Sequence, residues 1–118
     1  MKLNIGSMVY DLKLVPEIPI ESDQENVVIT AGYYMPFDEQ IQVSLQFPHQ
    51  IRKVTLWHEV VHAMLDELGL NGLMTDEGFV DALAKQIYGF LEKNDIQKLY
   101  DYLGDKNGKT VKTKAKAK

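Results

Sequence analysis

The chain of 118 residues has no cysteine. Disulfides and thiolate metal sites are therefore excluded, and any metal must be held by His, Asp or Glu. Histidine is scarce as well, with three in all, and there is one arginine and one tryptophan. No apolar run approaches the length of a membrane span. The first residues do not follow the basic-then-apolar plan of a secretion signal, so a cytoplasmic location is expected. Positive charge is sparse outside the C-terminus. Residues 1–104 carry a net charge of −9, and the last fourteen residues carry +5 from six lysines and one acid. An acidic body repels phosphates, which argues against nucleic acid as the main partner. The lysine-rich stretch 105–118 has almost no apolar content and reads as a disordered tail behind a single domain, 1–104.

Two of the three histidines fall in one pentapeptide, His58-Glu59-Val60-Val61-His62. It reads H-E-x-x-H within a helical pattern. Residues four apart share a helix face, so both imidazoles can reach one ion with Glu59 beside them. Two neutral nitrogen ligands and a carboxylate able to take a proton from water at the metal are what a zinc hydrolase requires.

The surrounding pattern predicts an α+β fold. A small antiparallel sheet of about four strands should pack on a central helix that carries the motif, with a second antiparallel helix beside it. Lys2–Ile5 and Met8–Val15 read as strands joined by a tight Gly6-Ser7 turn. Pro16 and Pro19 should then interrupt pairing. Val27–Tyr34 and the alternating Gln40–Phe47 should form an antiparallel hairpin about a turn at Met35–Asp38. Pro48 marks a helix start and Gly69 a stop. Over that span Ile51, Val54, Trp57, Val61, Met64, Leu65 and Leu68 fall on one arc, with His58, His62 and Glu59 directly beside it. A further helix should begin with Thr75 as its N-cap and run to about Asn94. A short helix from Asp95 to Leu103 should end at Gly104.

Catalytic zinc generally takes three protein ligands and leaves a position for water. No histidine follows His62, and His49 lies nine residues before His58, about 13 Å along the helix axis. The third ligand should therefore be a carboxylate. Glu77, in the first turn of the antiparallel helix, is the choice, with Asp66 and Asp76 as competitors. Asp81, one turn beyond Glu77, is placed to accept the outer N–H of a ligating imidazole and fix its orientation. Tyr33, Tyr34, Tyr88, Tyr100 and His49 are candidates to stabilise an oxyanion.

The segment Thr55–Leu65 lies after a strand pair and before the helix start Asp76-Glu77-Gly78-Phe79-Val80-Asp81. Over roughly Gly32 to Phe90 it resembles the small zinc peptidases of phages and mobile elements of the ImmA/IrrE type. The resemblance implies a gluzincin-like core, His58, His62 and Glu77 as zinc ligands, Glu59 as general base and Asp81 as the helper acid. It implies a metallo-endopeptidase hydrolysing a protein substrate, such as a regulator or repressor. The lysine-rich tail departs from the family, and a DNA-binding or sensing domain carried by many relatives has no room here. The competing expectation is a non-catalytic interaction or inhibitor protein in which zinc is structural.

Overall fold

The computed structural model describes residues 1–21 and 27–104. Gly6 turns the chain between β1 (Lys2–Ile5) and β2 (Met8–Val15), with Ile5 opposite Met8. Its φ of +58° is the left-handed value that a two-residue II′ turn demands at this position. The turn is fastened from below. Glu67 accepts hydrogen bonds from the Ser7 backbone N–H at 2.6 Å and from its hydroxyl at 3.0 Å.

Pro19 does not interrupt pairing. It sits inside β3 (Ile18–Glu21), which pairs antiparallel with β4 (Val27–Thr30) as a separate two-stranded ribbon. A two-stranded ribbon has only edges, where a missing N–H is tolerated. The expected Val27–Tyr34 strand is divided at Ala31. Its second half is β5 (Gly32–Met35), the half that forms the expected hairpin with β6 (Gln40–Ser44). The strand β6 stops at Ser44, so the alternation persists to Phe47 but the pairing does not. Ile41 and Val43 are buried, whereas Leu45 is exposed.

The main sheet has the order β1-β2-β6-β5. The protein is α+β as expected, but the sheet is mixed, because β2 and β6 run parallel. A parallel neighbour requires a long crossover, supplied here by the β3–β4 segment and β5.

Helix α1 (His49–Glu67) lies against this sheet, with Pro48 as its N-cap residue. It ends in a Schellman arrangement: Gly69 (φ +75°) donates to Asp66 O and Leu70 to Leu65 O. Two faces of α1 are covered. Val60 and Ala63 pack with Ile5, Tyr10, Tyr34 and Ile41 of the sheet. Val61 and Leu65 pack with Val80 and Ala84 of α3 (Glu77–Lys93). Trp57 touches both clusters. The helix is central as the sequence implied, although its arc is not wholly inside: Ile51, Met64 and Leu68 are exposed.

Between α1 and α3 lies a one-turn helix, α2 (Asn71–Met74), that the residue pattern does not foreshadow. The cap of α3 is Asp76, whose Oδ1 accepts from Phe79 N–H at 3.0 Å. Thr75 instead turns its hydroxyl back to Asn71 O at 3.0 Å. Along the helix pair Lys53 meets Tyr88, His58 meets Asp81 and His62 meets Glu77. Numbers fall in one helix as they rise in the other, so α1 and α3 are antiparallel.

The chain divides into two units, Met1–Tyr88 and Gly89–Lys118. The first holds both sheets, α1, α2 and the greater part of α3. In the second, α4 (Ile96–Leu103) is capped by Asp95, which accepts from Lys98 N–H, and closes at Gly104. The expected tail, 105–118, lies outside the described residues. Among the described residues, no helix is long and apolar enough to cross a membrane.

Candidate metal centre

Four residues apart on α1, His58 and His62 turn their rings toward one another, with centroids 4.9 Å apart. Their Nε2 atoms are 3.2 Å apart. From the first turn of α3, Glu77 reaches both: Oε1 lies 2.9 Å from His58 Nε2 and Oε2 lies 3.1 Å from His62 Nε2. One ligand atom from each of these three residues falls within 4.8 Å of the others, and the group could hold a metal ion.

The hydrogen bonding behind the rings decides what this closeness means. His62 Nδ1 lies 2.7 Å from Met74 O. A carbonyl can only accept, so Nδ1 carries the hydrogen and the neutral ring presents a lone pair at Nε2. That lone pair faces a carboxylate oxygen, which has no hydrogen to offer. On His58, Nδ1 points toward Asp81 Oδ1 at 3.6 Å, again leaving Nε2 for the centre. With both rings neutral, three lone-pair atoms thus converge on one point, an arrangement that one shared cation would satisfy. The spacing suits a cation: ligands about 2.0–2.1 Å from a tetrahedral zinc stand about 3.3 Å from each other.

Asp81 is itself held. Lys85, one turn along α3, donates to its Oδ2 at 2.8 Å. That hydrogen bond, more than the nearby His58, keeps the Asp81 carboxyl below its usual range.

Glu59 is buried, at 6% exposure. It accepts no hydrogen bond from another described residue. Desolvation first, and the Glu77 carboxylate second, push its pKa up to about 8. A cation between His58, His62 and Glu77 would reverse the second contribution. Directly over Glu59 passes Gly32 of β5. A Cβ at Gly32 would lie 2.5 Å from Thr55 Cγ2 and 3.0 Å from Glu59 Oε2. The strand comes this close to α1 only because residue 32 has no side chain.

The strand β5 is an edge of the sheet. Ser44 N–H donates to Ala31 O at 2.8 Å, making Ala31 and Ser44 a hydrogen-bonded pair. Such pairs alternate along an antiparallel ladder, so Gly32 and Tyr34 turn their N–H and C=O groups outward, where the Gly32 C=O accepts from the Thr30 hydroxyl at 3.3 Å. The outward edge borders a cavity of about 390 Å³ whose walls include Tyr33, Pro36, His58, Glu59 and Glu77. A second cavity of about 320 Å³, bordered by Val54, Thr55 and Asp81, shares Gly32, His58, Glu59 and Glu77 with the first. The two form one cleft that runs past the metal group.

The other candidates lie elsewhere. Asp66 accepts from Tyr34 OH at 2.7 Å, and Tyr10 OH, 3.3 Å from Tyr34 OH, is left to donate to it. Burial and these bonds hold the Tyr34 phenol well above the usual tyrosine range. Tyr34 is thus a brace between sheet and helix. Asp76 is the cap of α3. His49 borders a separate cavity with Leu12, Leu14 and Arg52. Tyr88 lies under Lys53, and Tyr100 belongs to the second unit. Among the oxyanion candidates, only Tyr33 borders the cleft without its hydroxyl being engaged by a described residue.

Two site features were not anticipated. Gly32 had a signal, since a lone glycine among β-branched and aromatic residues marks close backbone approach. Met74 had none, because a backbone carbonyl leaves no trace in residue type.

Searches against family models, curated proteins and solved structures find no match to this chain.

Proposed function

We propose that the chain is a zinc-dependent metallopeptidase that cleaves an extended segment of a protein substrate. The observation that carries this reading is the convergence of His58, His62 and Glu77 beside a buried, unengaged Glu59, beneath an open strand edge. His58 Nε2, His62 Nε2 and a Glu77 oxygen would hold the zinc. Bound there, zinc would supply a Lewis acid for a carbonyl oxygen and lower the pKa of a water. Glu59 would act as the general base, taking a proton from water as its oxygen adds to the carbonyl carbon and passing it to the amine released when the C–N bond breaks. The Met74 carbonyl and Asp81 keep the two rings in their ligating orientation. The outward N–H groups of Gly32 and Tyr34 and the Tyr34 C=O pair with substrate backbone, as in strand addition to a sheet edge. Peptide bonds share this backbone whatever their side chains, so an open edge over the centre favours a peptide over a compact small molecule.

The test has two arms. Purified, chelator-free protein should hold about one zinc per chain by elemental analysis. Glu59→Gln should retain that zinc and lose hydrolysis of a denatured protein substrate by about a hundredfold or more, the usual contribution of a general base. Zinc retained with no Glu59-dependent hydrolysis would instead support a metal that staples α1 to α3 in an interaction protein. No bound zinc would defeat both.

A further inference from the structure

Two aromatic side chains near the cleft have no place in the core. Tyr33 borders the larger cavity and is 46% exposed. Phe37, in the turn directly after cavity-lining Pro36, is fully exposed at 100%. Phenylalanine at full exposure gains nothing from folding, since its burial is where its stabilising value lies. The turn holds its shape without it: Glu39 N–H donates to Pro36 O at 3.2 Å, and Asp11 N–H donates to Glu39 O at 2.9 Å.

Strand geometry gives the pair a direction. Tyr34 faces the core, so Tyr33 stands on the opposite face of β5, an edge strand of the sheet. A peptide added antiparallel to that edge runs from the Phe37 end toward Gly32, where Glu59 and the metal group lie. A peptide side chain alongside Tyr33 makes a cross-strand pair, and aromatic–apolar pairs are among the favourable ones. Phe37 lies five residues after Gly32, in the turn that follows the end of β5 at Met35.

Resting on the proposed peptidase reading, we infer that Tyr33 and Phe37 form the specificity element of the cleft. They select peptides with apolar or aromatic residues within about five positions on the N-terminal side of the bond presented to the metal. Neither residue ligates metal or moves a proton.

The test reads binding, so it does not depend on turnover. Zinc-loaded Glu59→Gln protein is probed with an array of random ten-residue peptides. Peptides with apolar residues toward their N-terminal half should be enriched. Adding Tyr33→Ser and Phe37→Ser should weaken those peptides by about tenfold, with zinc content and thermal midpoint unchanged. Exposure makes both substitutions safe for folding, and the thermal midpoint checks it. No bound peptide, no apolar enrichment, or equal binding by the aromatic-free variant overturns the inference. Selected peptides that bind yet are not cleaved by the protein with Glu59 intact would sink the peptidase reading alone and leave the aromatic selection standing.

Discussion

Single side chains set the chemistry of this centre, and two of them can be tested against close rivals. Glu77 joins both imidazoles at 2.9 and 3.1 Å, whereas Asp66 is committed to Tyr34. Glu77→Ala should lower zinc affinity by about a hundredfold or more with little loss of stability in the metal-free protein. Asp66→Ala should do the reverse: affinity stays, and stability falls by about 1–3 kcal/mol because a buried phenol loses its charged acceptor. Zinc titration and thermal unfolding of both variants separate these outcomes, and equal effects on affinity would mean that the acid has been misassigned. Gly32 is the other telling position. Gly32→Ala places a methyl against Thr55 and Glu59, and the crowding should cost about 1–3 kcal/mol while displacing the Glu59 carboxylate. Hydrolysis should therefore fall further than zinc content. A variant with unchanged stability would show that the strand does not press on α1.

At the scale of elements, the centre is a joint between two antiparallel helices whose ends are fixed by different means. The motif histidines lie mid-helix in α1, where Val60, Ala63, Val61 and Leu65 are clamped from two sides. Glu77 is the first residue of α3, so its position depends on the cap at Asp76. An acid here is also stabilised by the positive end of the helix. Asp76→Ala should cost about 1 kcal/mol. It should also weaken zinc binding, because fraying the first turn releases Glu77. Asp76→Ser, which can cap, should restore both; failure of Ser to restore affinity would indicate a direct role for the Asp76 carboxylate. The sequence pattern made these helices legible, since apolar spacing at 3.6 residues survives any tertiary detail. It misplaced the cap by one residue. Thr75 and Asp76 are both good caps by type, and the choice between them was made by α2, which draws the Thr75 hydroxyl back to Asn71.

For the molecule as a whole, metal binding and stability should be linked. A ligand that binds the folded chain alone raises stability by about 2.7 kcal/mol at a hundred times its dissociation constant. Zinc should therefore raise the thermal midpoint, and chelation should lower it. The pH dependence has a definite sign. Protons compete with the ion for the lone pairs of its ligands, so the zinc-dependent increment should fade on acidification. Differential scanning with and without chelator from pH 8 to 5 measures it; an increment that grows on acidification would exclude histidine ligation.

Residue types and their spacing determined on their own that no thiolate site exists, that His58 and His62 share a helix face, and that an α+β chain places them beside a core. These are local matters, fixed by chemistry and by helical and strand periods. Four things were decided only by tertiary structure: that Glu77 meets both imidazoles while Asp66 meets Tyr34, the division of the strand at Ala31, the parallel pairing of β2 with β6, and the Met74 carbonyl behind His62. Each depends on which distant groups compete for one hydrogen bond or one patch of buried surface. That competition is settled by packing in three dimensions, to which sequence spacing is blind.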